Sequence, residues 1–446
     1  MKTKRILNQI GVIFVTFIFI LISSQMASAA NYYVRPNAYS SGNNTGTDWT
    51  NAFRGMPAYN HAFWTSMLQP GDTVYVAGGT YTTVWNINKG GTSENARIII
   101  KRATVAAHGT DIGWESGLDR TVMLSGVNIQ FYANSSNDYK GHDYITVDGV
   151  TGNGIKIDLT GVGGHGILLS YNNRGTTNYI TLRNIEIAGY GQDCEVANSD
   201  GIHDTPVANP ISNSHQGLKV QGCNIYNVCG AAIALRYSHD VLIEQNIIHD
   251  IGGKDTTIHE DHVIIYSSNN GTIRNNEMYD VASLGILFEV GNNSGWSIYN
   301  NLFYQKRFAG SGDAIKFTGK VGGSVSNIKI YNNTIYGFRY GVIAAPPTDG
   351  TFHYATVYNN IIYDSLISYT SSIDHDYNYY SSEVPSGDGG HSIANGANPF
   401  VDSANKDYQL KAGALPIDRG KTLDVVYSRA YNKVTRPQGG AWDIGA

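Results

Sequence analysis

The stretch Tyr299-Asn300-Asn301-Leu302-Phe303-Tyr304 decides the architecture, because it returns as Tyr331-Asn332-Asn333-Thr334-Ile335-Tyr336 and again as Tyr358-Asn359-Asn360-Ile361-Ile362-Tyr363. Further towards the N-terminus the same order of β-rich run, Asn turn and apolar run recurs. It is found around Asn275-Asn276, in Val241-Leu242-Ile243-Glu244-Gln245-Asn246-Ile247-Ile248, in Gln221-Gly222-Cys223-Asn224-Ile225-Tyr226 and in Thr181-Leu182-Arg183-Asn184-Ile185-Glu186-Ile187. The key asparagines 184, 224, 246, 276, 301, 333 and 360 are 40, 22, 30, 25, 32 and 27 residues apart. A minimum near 22 with variable excess describes a fixed coil carrying loops of different length.

Between the Asn turns lies a second short run that begins with a small residue. It reads Gly166-Ile167-Leu168-Leu169-Ser170, Gly201-Ile202-His203, Ala232-Ile233-Ala234-Leu235-Arg236, Gly285-Ile286-Leu287-Phe288-Glu289, Ala314-Ile315-Lys316-Phe317-Thr318 and Gly341-Val342-Ile343-Ala344, with His262-Val263-Ile264-Ile265-Tyr266 in the same series. Short strands of this kind cannot bury a face alone, but stacked coils share one apolar interior, with equivalent strands about 4.8 Å apart. Asn suits the turn because it tolerates the left-handed conformation, and its amide can bond the amides above and below. The expectation is an all-β chain, a single-stranded right-handed parallel β-helix of three sheets. A propeller or sandwich would need hairpin turns and even strand lengths.

Composition agrees. Among 446 residues there are 51 Gly, 31 Tyr and only 11 Pro, and only 15% are charged. The formal charge of −5 becomes −8 without Lys2, Lys4 and Arg5, so a basic nucleic-acid surface is not expected. Those three charges precede an apolar run from Ile10 to Ile22 and the small-residue pattern Ala27-Ser28-Ala29, which reads as a signal peptide over residues 1–30. A secreted, extracellular or periplasmic monomer with no membrane association after cleavage is expected. Residues 31–140 read as an N-terminal cap and first coils, 141–380 as the coil repeats and 381–446 as a C-terminal coil and cap. Three cysteines, Cys194, Cys223 and Cys229, allow at most one bridge. A Cys194–Cys223 pairing is open to them, and the fold does not depend on it.

On these repeats, and on Gly46-Thr47-Asp48-Trp49 and Pro70-Gly71-Asp72 near the start and Asp443-Ile444-Gly445-Ala446 at the end, residues 31–446 resemble the secreted right-handed parallel β-helix proteins. That family includes pectate and alginate lyases, uronan epimerases and many surface proteins. Gly164-His165-Gly166 and Asn198-Ser199-Asp200-Gly201 look like pieces of the polygalacturonase signature, in reversed order and without its paired Asp. Glu260-Asp261-His262 is similar to the calcium-ligand strand of alginate and chondroitin lyases, although Ser267 or Ser268 stands where that family has a catalytic Lys. The Asp-Pro-His motif of mannuronan epimerases is absent.

Aligning the second runs gives two outward columns: Ser170, Thr205, Arg236, Tyr266, Glu289 and Thr318 in one, and Leu168, His203, Ala234, Ile264, Leu287, Lys316 and Ile343 in the other. The expected ligand is a polysaccharide. Elimination from a uronate needs a group that withdraws charge from the carboxylate, a base and an acid. Arg236, Tyr266, His262, Lys316 and His203 are the candidate catalytic residues. Glu260, Asp261, Glu289 and Asp200 are the candidate ligands of Ca²⁺, which takes hard oxygen donors. A Ca²⁺-assisted lyase of an anionic polysaccharide is the leading expectation. The alternatives are a glycoside hydrolase using Asp200 with Asp204 or Glu260, and a glycan-binding surface protein.

Overall fold

The computed structural model describes residues 29–37, 42–131, 142–169, 177–192, 199–204, 215–253, 260–320, 322–344 and 351–446. The expected signal peptide, Cys194, Ser170 and Thr205 lie outside the described residues, apart from positions 29 and 30.

Three long parallel sheets of 14, 11 and 10 strands run the length of the molecule, each strand pairing with its equivalent in the preceding and following coils. This is the right-handed parallel β-helix expected from the repeats. The ten-stranded sheet contains all the runs that begin with a small residue, from Ile167–Leu168 and Ile202–His203 through Ile233–Arg236, Asp261–Tyr266, Leu284–Val290 and Asp313–Lys320 to Tyr340–Ala344. Its inward column Ile167, Ile202, Ile233, Val263, Ile286, Ile315 and Val342 is fully buried and in register. Burying each such side chain stabilises the stack by roughly 1.5–3 kcal/mol. The strand begins with a small residue because the coils approach closely there: a Cβ on Gly201 would lie 2.5 Å from the Ala232 carbonyl oxygen. At the N-terminal end Phe63 and Trp64 are fully buried over the first coil.

The Asn turns divide two tasks between two residues. Asn184, Gly222, Gln245, Asn275, Asn300, Asn332 and Asn359 all have φ between 52° and 62° and carry the left-handed turn. The residue that follows turns inward. Asn246, Asn276, Asn301, Asn333, Asn360 and Asn378 form one continuous ladder, each Nδ2 donating to the next Oδ1 at 2.9–3.1 Å. Two of the expected members therefore fall outside the ladder. Asn184 occupies the left-handed position, and Asn224 lies on a strand one place beyond Cys223, whose backbone N–H donates to Asn246 Oδ1 at 2.9 Å. Where a coil has only one Asn, the spacing does not show which task that Asn performs.

The left-handed asparagines also hold the C-terminal segment. Asn300 bonds the Arg429 carbonyl and Arg436, and Asn359 exchanges two hydrogen bonds with the Lys421 backbone at 2.7 and 2.8 Å. Tyr427 and Trp442 pack against Tyr299 and Tyr331, so residues beyond 400 fold back along the outside of the coils. Cys223 is a buried free thiol and Cys229 is the disulfide-bonded cysteine. The Cys194–Cys223 pairing is thereby excluded: Cys223 stands in the closely packed column above Asn246.

Replacing Asn301 by Ala strips partners from the Asn276 backbone N–H and the Ile273 carbonyl, both buried, and is expected to cost about 2–3 kcal/mol. Asn224→Ala removes an amide whose oxygen has no hydrogen-bond partner, and is expected to change stability by less than about 0.5 kcal/mol. Denaturant midpoints of the two variants check this; equal losses would assign both residues to one ladder.

Candidate active site

Strand register fixes what the outward face of the ten-stranded sheet can present. The column Leu168, His203, Ala234, Ile264, Leu287, Lys316 and Ile343 is continuous as expected. Two residues further along each strand, Arg236 is in register with Tyr266, whose hydroxyl donates to Glu289 Oε2 of the next coil at 2.6 Å. The Arg236 guanidinium lies over the Tyr266 ring, 5.6 Å from its centroid. Burial first, and then the Glu289 hydrogen bond, push the Tyr266 hydroxyl far above its usual pKa. Tyr266 is therefore a proton donor and not a base. Arg236 Nε is buried without a hydrogen-bond partner.

A third outward column precedes the small residue. Asp261, Leu284, Asp313 and Tyr340 are in register. Towards the N-terminus the backbone bonds continue this column through Ala231 and Asp200 to His165. An alignment that begins at the small residue does not reveal this column. Its signal was a polar residue directly before Gly or Ala, as in His165-Gly166 and Asp200-Gly201.

His165, Asp200 and His203 form one cluster. The two imidazoles stack with centroids 4.0 Å apart. Asp200 Oδ2 lies 2.5 Å from His203 Nδ1, and Asp200 Oδ1 accepts the Ala231 N–H at 2.8 Å. An ionised carboxylate only accepts, so His203 carries its proton on Nδ1 and leaves Nε2 a free lone pair. His165 Nδ1 accepts the Asp200 backbone N–H at 3.1 Å, which places the neutral ring's proton on Nε2. Burial above all pushes the pKa of His165 down to about 4.

Among the described residues this is the one group of three His, Cys, Asp or Glu ligands with donor atoms within 4.8 Å of one another. Glu260, Asp261 and Glu289 are not drawn into a second group. Two imidazoles and one carboxylate do not make the oxygen shell that Ca²⁺ takes. Both Nδ1 atoms and both oxygens of Asp200 are moreover already hydrogen-bonded.

The remaining candidates sit elsewhere. His262 occupies the small-residue position, is fully buried, and lies with Nε2 3.2 Å from the Tyr279 carbonyl at the corner with the neighbouring sheet. Burial pushes its pKa down to about 3. Glu260 is buried and accepts the Gly253 N–H at 2.9 Å. Asp261 is fully buried and its charge contributes to raising the Tyr266 pKa. Lys316 lies four coil steps from His203 and pairs with the fully buried Asp313 at 3.3 Å. Asp204 is sealed from solvent, 3.0 Å from His215 Nε2 and bonded by the Ser238 hydroxyl. Ser238 N–H donates to Ser268 Oγ and Ser268 N–H to Asn293 Oδ1, so Asp204 and Ser268 belong to a second polar ladder at the sheet's far corner.

No protein-family model and no curated protein matches this chain. Among solved structures, GH136 lacto-N-biosidase from Eubacterium ramulus is similar with a TM-score of 0.50 at 16% identity, over 80% of this chain and 64% of that one. The pectate lyase Pel9A is similar with a TM-score of 0.45 at 15% identity, over 94% and 96%. The structure of XylC with xylose gives 0.48 at 11% identity, over 93% and 98%. At these identities the likeness is one of fold.

The buried imidazoles carry a pH prediction. His165 and His262, held near 4 and 3, stay neutral in the folded chain, whereas in the unfolded chain they take up protons near their ordinary 6.5. The unfolded state binds more protons in that window, so their contribution is complete above pH 6.5 and is lost as the pH falls towards the folded values. Denaturant midpoints should fall on acidification through this window and fall less steeply in His262→Gln. Parallel profiles for the two proteins would contradict the burial of a neutral His262.

Proposed function

We propose that this protein is a secreted carbohydrate-active β-helix protein that cleaves an anionic, uronate-bearing polysaccharide by β-elimination on the outward face of the ten-stranded sheet. One observation carries the reading. The Arg236 guanidinium, whose buried Nε has no hydrogen-bond partner among the described residues, stands one coil step and two strand positions from His203, which Asp200 orients and on which His165 stacks.

In this reading Arg236 takes the uronate carboxylate, draws charge from it and acidifies the proton on carbon five. The carboxylate bridging expected of Ca²⁺ is then supplied by a fixed cation of the chain. His203 Nε2 removes that proton, and the electron pair of the broken C–H bond becomes the carbon four–carbon five double bond. The bond from carbon four to the glycosidic oxygen breaks, and the leaving oxygen takes a proton from the imidazolium of His203. The products are one chain with an unsaturated end and one with a free hydroxyl. Asp200 keeps His203 in the tautomer the step needs and stabilises the transient imidazolium. His165 stays neutral, offering a hydrogen bond from Nε2 without adding a second positive charge beside Arg236. Tyr266, whose one hydroxyl proton goes to Glu289, offers its oxygen to the sugar as a hydrogen-bond acceptor. A hydrolase would need two carboxyls flanking the bond, and the sealed environments of Asp204 and Glu260 count against that use.

The test is incubation with polygalacturonate and with alginate, followed by ultraviolet absorbance of the unsaturated product. Wild type should generate absorbance with or without chelator. Arg236→Ala and His203→Ala should lose at least about 100-fold in turnover while keeping the wild-type denaturation profile. Reducing ends released without absorbance would replace elimination by hydrolysis, and binding without any cleavage would leave a glycan-binding protein.

A further inference from the structure

At the other end of the same outward face, a pocket of about 480 Å³ is lined by Leu287, Glu289, Ser311, Lys316, Thr318 and Arg339, among others. Its electrostatics are built around Asp313, which has no exposed surface. Arg339 donates to Asp313 Oδ1 from Nε at 3.1 Å and Nη2 at 2.7 Å, and Lys316 Nζ stands 3.3 Å from Oδ2. One buried carboxylate therefore holds two cations, and the side chains of those cations are 52% and 24% exposed. Glu289, the other acid of the lining, is 4% exposed and already accepts the Tyr266 hydroxyl. With both acids turned from solvent, the charged groups exposed at this end are the two cations.

We infer that this pocket is a separate anion-binding subsite for a second carboxylate of the same polymer, with Lys316 and Arg339 as its donors and Asp313 as the buried anchor that fixes both. Lys316 shares a column with His203 four coil steps away, so the two ends of the groove are about 19 Å apart along the sheet. A short oligosaccharide bound at Arg236 and His203 does not reach Lys316, whereas a long one lies across both. The inference rests on the proposed reading of the groove as a uronate site. It adds that the protein prefers long chains, and it assigns Lys316 to binding in place of proton transfer. Asp313 acts as a positioning residue for both cations.

The experiment measures binding by titration calorimetry, and turnover by absorbance, for short and long oligogalacturonate and oligoalginate fractions at low and high salt. The variants are Arg339→Gln and the double variant Asp313→Asn with Lys316→Gln, which removes the lysine without leaving a buried unpaired charge. Affinity for long chains should fall on the order of tenfold or more in each variant and lose part of its salt dependence. Affinity and turnover on short chains should stay at wild-type values. Wild-type cleavage with long-chain affinity unchanged in both variants would overturn the subsite while leaving the lyase reading intact. Long-chain binding lost in the variants of a wild type that cleaves nothing would keep the subsite and discard the lyase. A wild type that neither binds nor cleaves either polymer would overturn both.

Discussion

The constraint on which the structure depends is that no coil can bury its own face, so every coil must turn at the same place as its neighbours. The paired asparagines meet this requirement with two different properties of one side chain. The first accepts a left-handed backbone near φ 55°, which bulkier residues adopt at a cost. The second places an amide where its oxygen accepts both the backbone and side-chain N–H of the coil before, while its nitrogen donates to the oxygen of the coil after. An unpaired amide in that interior would cost a few kcal/mol, so an error in register at one coil is penalised at both of its neighbours. The left-handed Asn300 and Asn359 then direct their own amides outward to the C-terminal segment, which ties the turn column to the chain's last residues.

Register enforced at the turns becomes geometry on the ten-stranded sheet. Because equivalent residues are held about 4.8 Å apart, side chains far apart in sequence come to act as one array. Arg236, Tyr266 and Glu289 span 53 residues of sequence and only two coil steps. The departures from regularity lie next to the polar clusters. Where neighbouring coils have Gly or Ala at the strand start, His262 is driven to the corner and loses its charge to burial. The residue before that position carries His165, Asp200, Asp261 and Asp313, the acids and imidazole around which both ends of the groove are organised.

What was legible in the sequence follows from what repeats. The inward Ile and Val column, the small starting residue and the outward columns through His203 and Lys316 and through Arg236 to Glu289 are periodic, and all were placed by alignment alone. Asn184 and Asn224 were misassigned to the ladder because one letter serves both turn tasks, and only strand register separates them by one residue. His262, beside Glu260 and Asp261, reads as a candidate catalytic imidazole, and nothing in the pattern shows that the small-residue position faces a corner. Glu260 and Asp261 form a conspicuous acidic run, yet both are buried, which sequence does not display. The free thiol of Cys223 follows from its place above Asn246 in a column whose membership was itself one residue out of reach.

A solenoid also bears on how a polymer site is built. In a globular pocket, the group that binds charge and the group that moves protons are brought together by unrelated loops, and each can be adjusted alone. In the proposed reading both lie on one face with a fixed repeat, so a second cationic cluster cannot approach the first without altering every coil between them. Asp200 and Asp313 illustrate the consequence, since they occupy the same column four coil steps apart and each holds basic partners, imidazoles at one end and Lys316 with Arg339 at the other. Between them that column and the next carry Ala231, Leu284, Ala234, Ile264 and Leu287, which pack into one cluster, and the fully buried Asp261. In the proposed reading, a face with its exposed basic groups at the two ends and mostly apolar side chains between them suits a chain whose charged groups recur at intervals with apolar ring surface between. The spacing of that match is set by backbone hydrogen bonding, not by the side chains that make the contacts.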